Sequence, residues 1–487
     1  MSHARRHAKS AAALTISQAG TRLLSLLTLI IVQKNVSVAE NGLFQLGLRV
    51  GFLLALFTEF GLRGYLVREL ARHREDRIKS QEIFGNVFNV RLVLVCPVFV
   101  IGGLLCALAG YSRPALVAIG LFYFFAVGDS VAMLFKFVFR AYERMEFDAI
   151  FSVIGRTLIV SGVVVLWLMR RLTVPSIGGV HIFASLTEAA LLALCITHFL
   201  GLRLVHPIHW RGMTSVLHRS IPFAVINIIG TMYMSTGTII LSKMLGEESV
   251  GYYNAASRLP EALQFFPTAV MNALIPFLAR RHNDRALVER YYHFLTRYLG
   301  FLAVTCGAVL TLAPQWVITL VAKQDYLTAV PVFRCFGVWL ILVYYQILAA
   351  NILICLDAEK IVMARAVVAL VLNVVLNMWW IRLGGVNGAA AALLATEAVS
   401  CILYLSALSR RGIPTPVSAF FRIGVVAFSA GIPIVVGLKL FPTAFWGQTL
   451  GVTGGIICAA ILTVLFALKD DRPVLRSLLK GSEKPEL

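Results

Sequence analysis

Charge is what this sequence has least of. Only 14% of its 487 residues are Asp, Glu, Lys or Arg, where soluble domains carry close to 25%. Acids are the scarcer half, with 24 Asp and Glu against 44 Lys and Arg. Cysteine is also thin, and the eight present include no CxxC pair. They are scattered through apolar segments and read as small core residues, so neither a disulfide frame nor a metal site is expected. No cofactor motif stands out. There is no DxD-like acidic site and no large hydrophilic loop, which argues against a membrane glycosyltransferase or polymerase built on a catalytic acid; the chain is read as a non-enzyme. No cleavable leader is expected, because MSHARRHAKSAAALTIS is a basic stretch running straight into the first apolar segment.

What is present is hydrophobicity: 59% of residues are apolar. A bilayer span needs about 20 consecutive apolar residues, and fourteen candidate spans follow one another from 11–33 to 445–468. The expected fold is therefore an all-α polytopic membrane protein. The loops between spans alternate in charge. The N-terminus, 68–79, 140–144, 203–219, 280–290, 360–365, 410–411 and the tail from 469 hold 26 Lys and Arg, whereas the opposite loops hold 8. The positive-inside rule then places both termini in the cytoplasm, in a bacterial inner membrane. The net charge of +20 is spread over these short loops, so anionic membrane lipids account for it and nucleic acid is not an expected partner.

The chain also repeats itself. AENGLFQLGLRV at 39–50 matches ESVGYYNAASRL at 248–259, pairing Gly42 with Gly251, Phe44 with Tyr253 and Arg49 with Arg258. ELARH at 69–73 faces LARRH at 278–282, GGV at 178–180 recurs at 384–386, and TEA at 187–189 recurs at 396–398. Arg156 and Arg365 share the same separation. Six spans per copy is an even number, so both copies enter the membrane in one orientation. Two six-helix lobes related by a pseudo-two-fold axis along the membrane normal follow, 1–210 and 211–412. Residues 413–487 add two further helices and a basic cytoplasmic tail. Such a pair of lobes suits alternating access.

Three arginines lie deep. Arg22 sits about 16 Å into its span, and Arg49 and Arg258 about 10–12 Å below the outer ends of theirs, at 1.5 Å per residue. An arginine at mid-bilayer costs roughly 2.5–3.5 kcal/mol on insertion scales, and such residues usually face a bundle interior or a wet cavity. Gln18, Gln45 and Asn254 each precede one of these arginines by four residues, on the same helical face. Asn227 occupies the place in the second copy that Gln18 has in the first. Arg91, Arg156, Arg297, Arg334 and Arg365, nearer span ends, are expected to snorkel, as are Lys136 and Arg140. Asp129, Glu188 and Glu397 are candidate coupling acids, although pairing with a nearby arginine explains them more simply. Glu261 follows Arg258 by three and is expected to pair with it. Pro260 and Pro267 interrupt the helix just past Arg258. A cavity richer in guanidinium than carboxylate favours an anion such as phosphate, whose oxygens a planar fork binds in pairs.

LGEESVGYYNAASRLPEALQFFPTAVMNALIPFLARRH resembles the eighth-helix signature of the Wzx-type oligosaccharide flippases. FGLRGYLVRELA, FRAYERMEF and LNVVLNMWWIRLGGVNGAAAALLATE are similar to further helix ends and loops of that family. The resemblance spans the first twelve candidate spans. It implies the polysaccharide transporter branch of the multidrug/oligosaccharidyl-lipid/polysaccharide exporter superfamily. Members move polyprenyl-pyrophosphate-linked sugars between leaflets for O-antigen and exopolysaccharide synthesis, alongside a polymerase and chain-length machinery. In the related lipid II flippases, arginines on helices 1, 2 and 8 line the cavity, at positions matching Arg22, Arg49 and Arg258. The aspartate that follows the first-helix arginine in that group is replaced by Leu23, which counts against lipid II as cargo. A cation-coupled multidrug exporter of the same fold is the alternative.

Overall fold

Proline and small polar residues set where the helices begin. In the computed structural model, the backbone is described for residues 3–470 apart from 74, 205–206, 282, 415–416 and 442–443. Side chains are described at those residues except 3–16, 222, 226, 273, 276, 280, 417–421 and 464–470. Much of the expected C-terminal tail therefore lies outside the described residues. No strand occurs among them. By contacts the chain divides into two units, Met1–Asn254 and Ala255–Leu487.

The first unit contains α1 (His3–Asn35), α2 (Val38–Glu59), α3 (Leu62–His73), α4 (Arg77–Leu108), α5 (Arg113–Ala141), α6 (Met145–Leu168) and α7 (Val174–Cys195), with a π-helical turn at Ile196–Leu200. It also holds most of α8 (Trp210–Leu263). Ser37 caps α2 in a capping box with Glu40, and Ser112 and Thr173 cap α5 and α7 just ahead of a proline in the first turn. These caps satisfy backbone N–H groups that have no intrahelical acceptor. Asp76 caps α4 at a loop. The backbone N–H groups of Lys79 and Ile78, with the Lys79 charge nearby, hold that carboxyl below its ordinary range. Phenylalanines stand among aliphatic side chains in the core: Phe84, Phe135 and Phe139 gather with Leu66 and Val87, and Phe44, Phe122 and Phe125 with Val163 and Ile177.

The second unit contains α9 (Phe265–Arg280), α10 (Arg285–Leu312), α11 (Pro314–Val321), a 3-10 segment at Gln324–Ala329, α12 (Val330–Cys355), α13 (Glu359–Arg410), α14 (Val417–Leu440) and α15 (Phe445–Asp470). The terminal pair α14 and α15 pack on each other and against α10, sharing Phe301, Val304, Ile423, Val426 and Ala459.

Eleven helices among the described residues are long and apolar enough to cross a membrane, against the fourteen expected. Two of the eleven are longer than any single span, and each breaks at a glycine. Gly246 (φ 82°, ψ −177°) interrupts α8 and Gly385 (φ 57°, ψ −132°) interrupts α13. These are conformations that a side chain disfavours and glycine accepts. The breaks are reversals. Thr238 and Asn254, sixteen residues apart, exchange side-chain hydrogen bonds at 3.1 and 3.3 Å; a straight helix would hold them about 24 Å apart. Asn373 donates to Thr396 at 3.3 Å across the second break. α8 and α13 are therefore helical hairpins, with turns where the sequence places short loops. α1 is not among the eleven.

The glycines matched by the repeat meet in the first unit. A Cβ on Gly42 would lie 1.8 Å from the Glu247 carbonyl oxygen, and one on Gly251 would lie 2.3 Å from that of Val38. α2 and the second arm of α8 thus cross with backbones in contact, as small residues permit between membrane helices. Polar contacts flank the crossing: Ser112 Oγ donates to Glu247 at 3.0 Å, Lys243 Nζ donates to the Ala109 carbonyl at 2.8 Å, and Tyr111 OH lies 3.2 Å from Ser242 Oγ.

Candidate functional site

Of the three deep arginines, Arg22 on α1 is exposed and Arg49 on α2 is half-buried. Arg258, in the second unit, is half-buried and meets Glu261 at 3.4 Å, the one-turn pair its spacing implies. The amides divide by burial. Gln45 is fully buried and donates to Asn41 at 3.5 Å, and Asn254 is fully buried at the α8 hairpin. Gln18 is half-buried, whereas Asn227 is exposed on the first arm of α8.

The in-span acids are all ion-paired. Asp129 on α5 accepts from Arg156 on α6 at 3.2 Å. Glu397 on α13 accepts from Arg365 at 3.1 Å and also from Gln346, which reaches both its carboxylate and its backbone carbonyl. Arg365 in turn donates to the Gln346 side-chain oxygen at 2.5 Å. Glu188 on α7 finds a cation too, but it is Lys136 on α5, at 2.5 Å, with both side chains 6% exposed.

That pair corrects the snorkelling assignment of Lys136. Its ammonium points to a carboxylate inside the bundle, where an unpaired charge of either sign would be far costlier than the pair. Arg91 is corrected in the same way. It is fully buried and donates to Ser130, which bonds Glu59 at 3.4 Å, while Arg63 holds Glu59 with two N–H groups. Arg140 turns to Asp148 at 2.5 Å, and Arg334 is exposed, as a snorkelling stem requires. Glu59 and Arg63 are four apart, so that half of the network was readable from spacing. The Lys136–Glu188 and Arg91–Ser130 contacts join distant segments and left no local signal.

A first group forms within the Met1–Asn254 unit. α1 packs along α6, and Arg22 lies within electrostatic reach of Arg156. Asp129, Lys136 and Arg156 surround Glu188 closely enough to influence its charge. Arg49 belongs to the same unit, and Arg258 to the other. Chemically, the group has more guanidinium and ammonium than carboxylate, with no nucleophile in a reactive arrangement. It can bind an anion.

The described residues are helical throughout their regular structure, and their eleven long apolar helices define a multi-pass membrane protein. Among solved structures it is similar to the lipid II flippase MurJ in an inward closed conformation, with a TM-score of 0.75 at 15% identity over 93% of this chain and 98% of that one. An inward-facing multidrug resistance MATE family transporter of the MOP superfamily gives a TM-score of 0.66 at 13% identity, over 83% and 95%. At these identities the likeness is one of fold. Residues 7–282, more than half of the chain, match the polysaccharide biosynthesis protein family model, and the chain belongs to that family. A curated relative, the probable flippase AglR of Haloferax volcanii, is 28% identical over 236 residues, 47% of this chain and 48% of AglR. The match thus spans about half the length of that relative.

Proposed function

We propose that the protein is a flippase that carries a polyprenyl-pyrophosphate-linked oligosaccharide from the cytoplasmic to the periplasmic leaflet by alternating access, for surface polysaccharide synthesis. Its two six-helix lobes, 1–210 and 211–412, drive the alternation, with both termini in the cytoplasm of a bacterial cell and 413–487 as an addition. Arg22, Arg49 and Arg258 hold the pyrophosphate, Gln18, Gln45, Asn227 and Asn254 line the polar path, and the prenyl tail stays in lipid. Membership of the polysaccharide biosynthesis family supports the cargo class. The observation that carries the reading is electrostatic: Asp129, Glu188 and Glu397 are each occupied by a basic partner, while Arg22 and Arg49 lie at depth with exposed or half-buried side chains. Guanidinium forks there suit a diphosphate.

The MATE-like fold favours a second reading, a cation-coupled drug exporter. Such a pump needs carboxylates open to its cargo, and the paired acids weigh against it. Complementation separates the two. An Arg49→Ala/Arg258→Ala double variant, expressed at normal levels in a deletion strain, is expected to lose polymer export. Full export by that variant would contradict the cationic site, and drug resistance on overexpression without a glycan defect on deletion would support the exporter.

A further inference from the structure

The two copies of the repeat treat one arginine differently. In the second copy, Arg365 is consumed by Glu397 and Gln346, and its side chain is only 13% exposed. The equivalent acid in the first copy, Glu188, is equally buried, but Lys136 neutralises it; the matching position in the second copy is Tyr345. Arg156, the counterpart of Arg365, is thereby released from that duty. It meets Asp129 instead, at 3.2 Å, with 32% of its side chain exposed. Asp129 has no acidic counterpart either, since Val338 stands at the matching position.

Depth brings Arg22 to the same level. At 1.5 Å per residue, Arg156 lies about 16 Å from the start of α6 at Met145, and Asp129 about 18 Å from the end of α5 at Ala141. Arg22 lies about 20 Å before Asn35 at the end of α1, and Arg156 about 16 Å before Trp167 on α6, whose indole N–H donates to the Asn35 side chain at 3.0 Å. α6 and α1 pack side by side, and the contact between their C-terminal ends shows that they run in the same direction. Three cations (Arg22, Lys136 and Arg156) therefore share this level and the turns below it with two carboxylates. The surplus positive charge is concentrated on the two arginines that are at least partly exposed.

We propose that Arg156 is a further substrate-contacting residue, forming with Arg22 a two-guanidinium clamp on the diphosphate of the lipid carrier, and that Asp129 occupies Arg156 until the diphosphate displaces it. This rests on the flippase reading above. A diphosphate presents oxygens on two phosphorus centres, and two planar forks on neighbouring helices can take one each. Asp129 gives Arg156 an acceptor in the empty state and competes for it in the loaded one, which favours release.

The test is equilibrium binding of polyprenyl diphosphate to the full chain in lipid nanodiscs, with polyprenol as the probe lacking phosphate. Arg156→Gln is expected to weaken binding by about tenfold, the worth of one charge-assisted contact. Asp129→Asn is expected to tighten it. The double Asp129→Asn/Arg156→Gln variant, which keeps a neutral polar pair and guards against misfolding, is expected to bind like Arg156→Gln. Arg365→Lys is expected to bind like wild type. Equal binding by wild type, Arg156→Gln and the double variant, or weaker binding by Asp129→Asn, would overturn the clamp alone. Wild-type protein that does not distinguish the diphosphate from polyprenol would overturn both the clamp and the flippase reading beneath it.

Discussion

Lys136 and Glu188 make the buried pair whose energetics can be worked most directly. Their charged atoms are 2.5 Å apart and each side chain is 6% exposed, so solvent screens the pair little. Gly155 leaves the room: a Cβ there would fall 2.0 Å from the Glu188 carboxylate. Lys136→Met keeps an unbranched side chain one atom shorter and removes the ammonium, stranding a carboxylate in the bundle. Breaking a buried pair in this way costs about 3–5 kcal/mol. At 1.4 kcal/mol per decade, that is roughly two to four decades in the folding equilibrium. Equilibrium unfolding of purified protein in mixed micelles would read the loss. The Lys136→Met/Glu188→Gln double variant removes both charges and should recover most of it, because the penalty belongs to the unpaired ion. A single variant within about 1 kcal/mol of wild type, below the range given for a broken buried pair, would refute the reasoning. So would a double variant no better than the single.

Other substitutions probe other links. Gly42→Val drives a side chain into the Glu247 carbonyl and should separate α2 from the second arm of α8; in a background otherwise free of cysteine, Cys substituted for Ser112 should then label several-fold faster with a membrane-impermeant maleimide, and unchanged labelling would contradict the backbone crossing. Tyr344 OH donates to the Leu263 carbonyl at 2.7 Å, the acceptor that Pro267 cannot serve because it has no N–H. Tyr344→Phe should therefore cost about 1–3 kcal/mol in unfolding measurements, and adding Pro267→Ala should restore part of it. Glu397→Gln keeps hydrogen-bonding capacity toward Gln346 and Arg365, so export measured by complementation should persist; loss of export with stability intact would instead make Glu397 a coupling acid.

Much of the fold was legible because membrane helices announce themselves by length and composition. The hairpin turns at Gly246 and Gly385 fall between segments whose apolar runs end at 242 and 382. The repeat was legible through Gly42 and Gly251, and the structure supplies its reason: backbone contact leaves no space for a Cβ at either position. The Arg258–Glu261 pair followed from helical spacing, whereas Glu397 was expected only to pair with some nearby arginine, and its partner Arg365, expected to snorkel, comes from 32 residues away. Lys136 and Arg91 were misread because their partners sit on helices far away in the chain, and hydropathy carries no register between helices. Arg156 was misread for the same reason, since only the packing of α5 against α6 brings it to Asp129. The break between α8 and α9, at Gln264, falls between the two prolines flagged in the sequence. What the sequence could not convey was that Tyr344 completes it.

The central claim is the cargo, and the direct measurement is what accumulates without the protein. Cells deleted for it would be extracted, and their lipid-linked intermediates identified and assigned to a leaflet. The account predicts one polyprenyl-pyrophosphate-linked oligosaccharide trapped on the cytoplasmic side, cleared by wild type and not by the Arg49→Ala/Arg258→Ala variant. Unchanged lipid-linked pools, with surface polysaccharide intact, would contradict it.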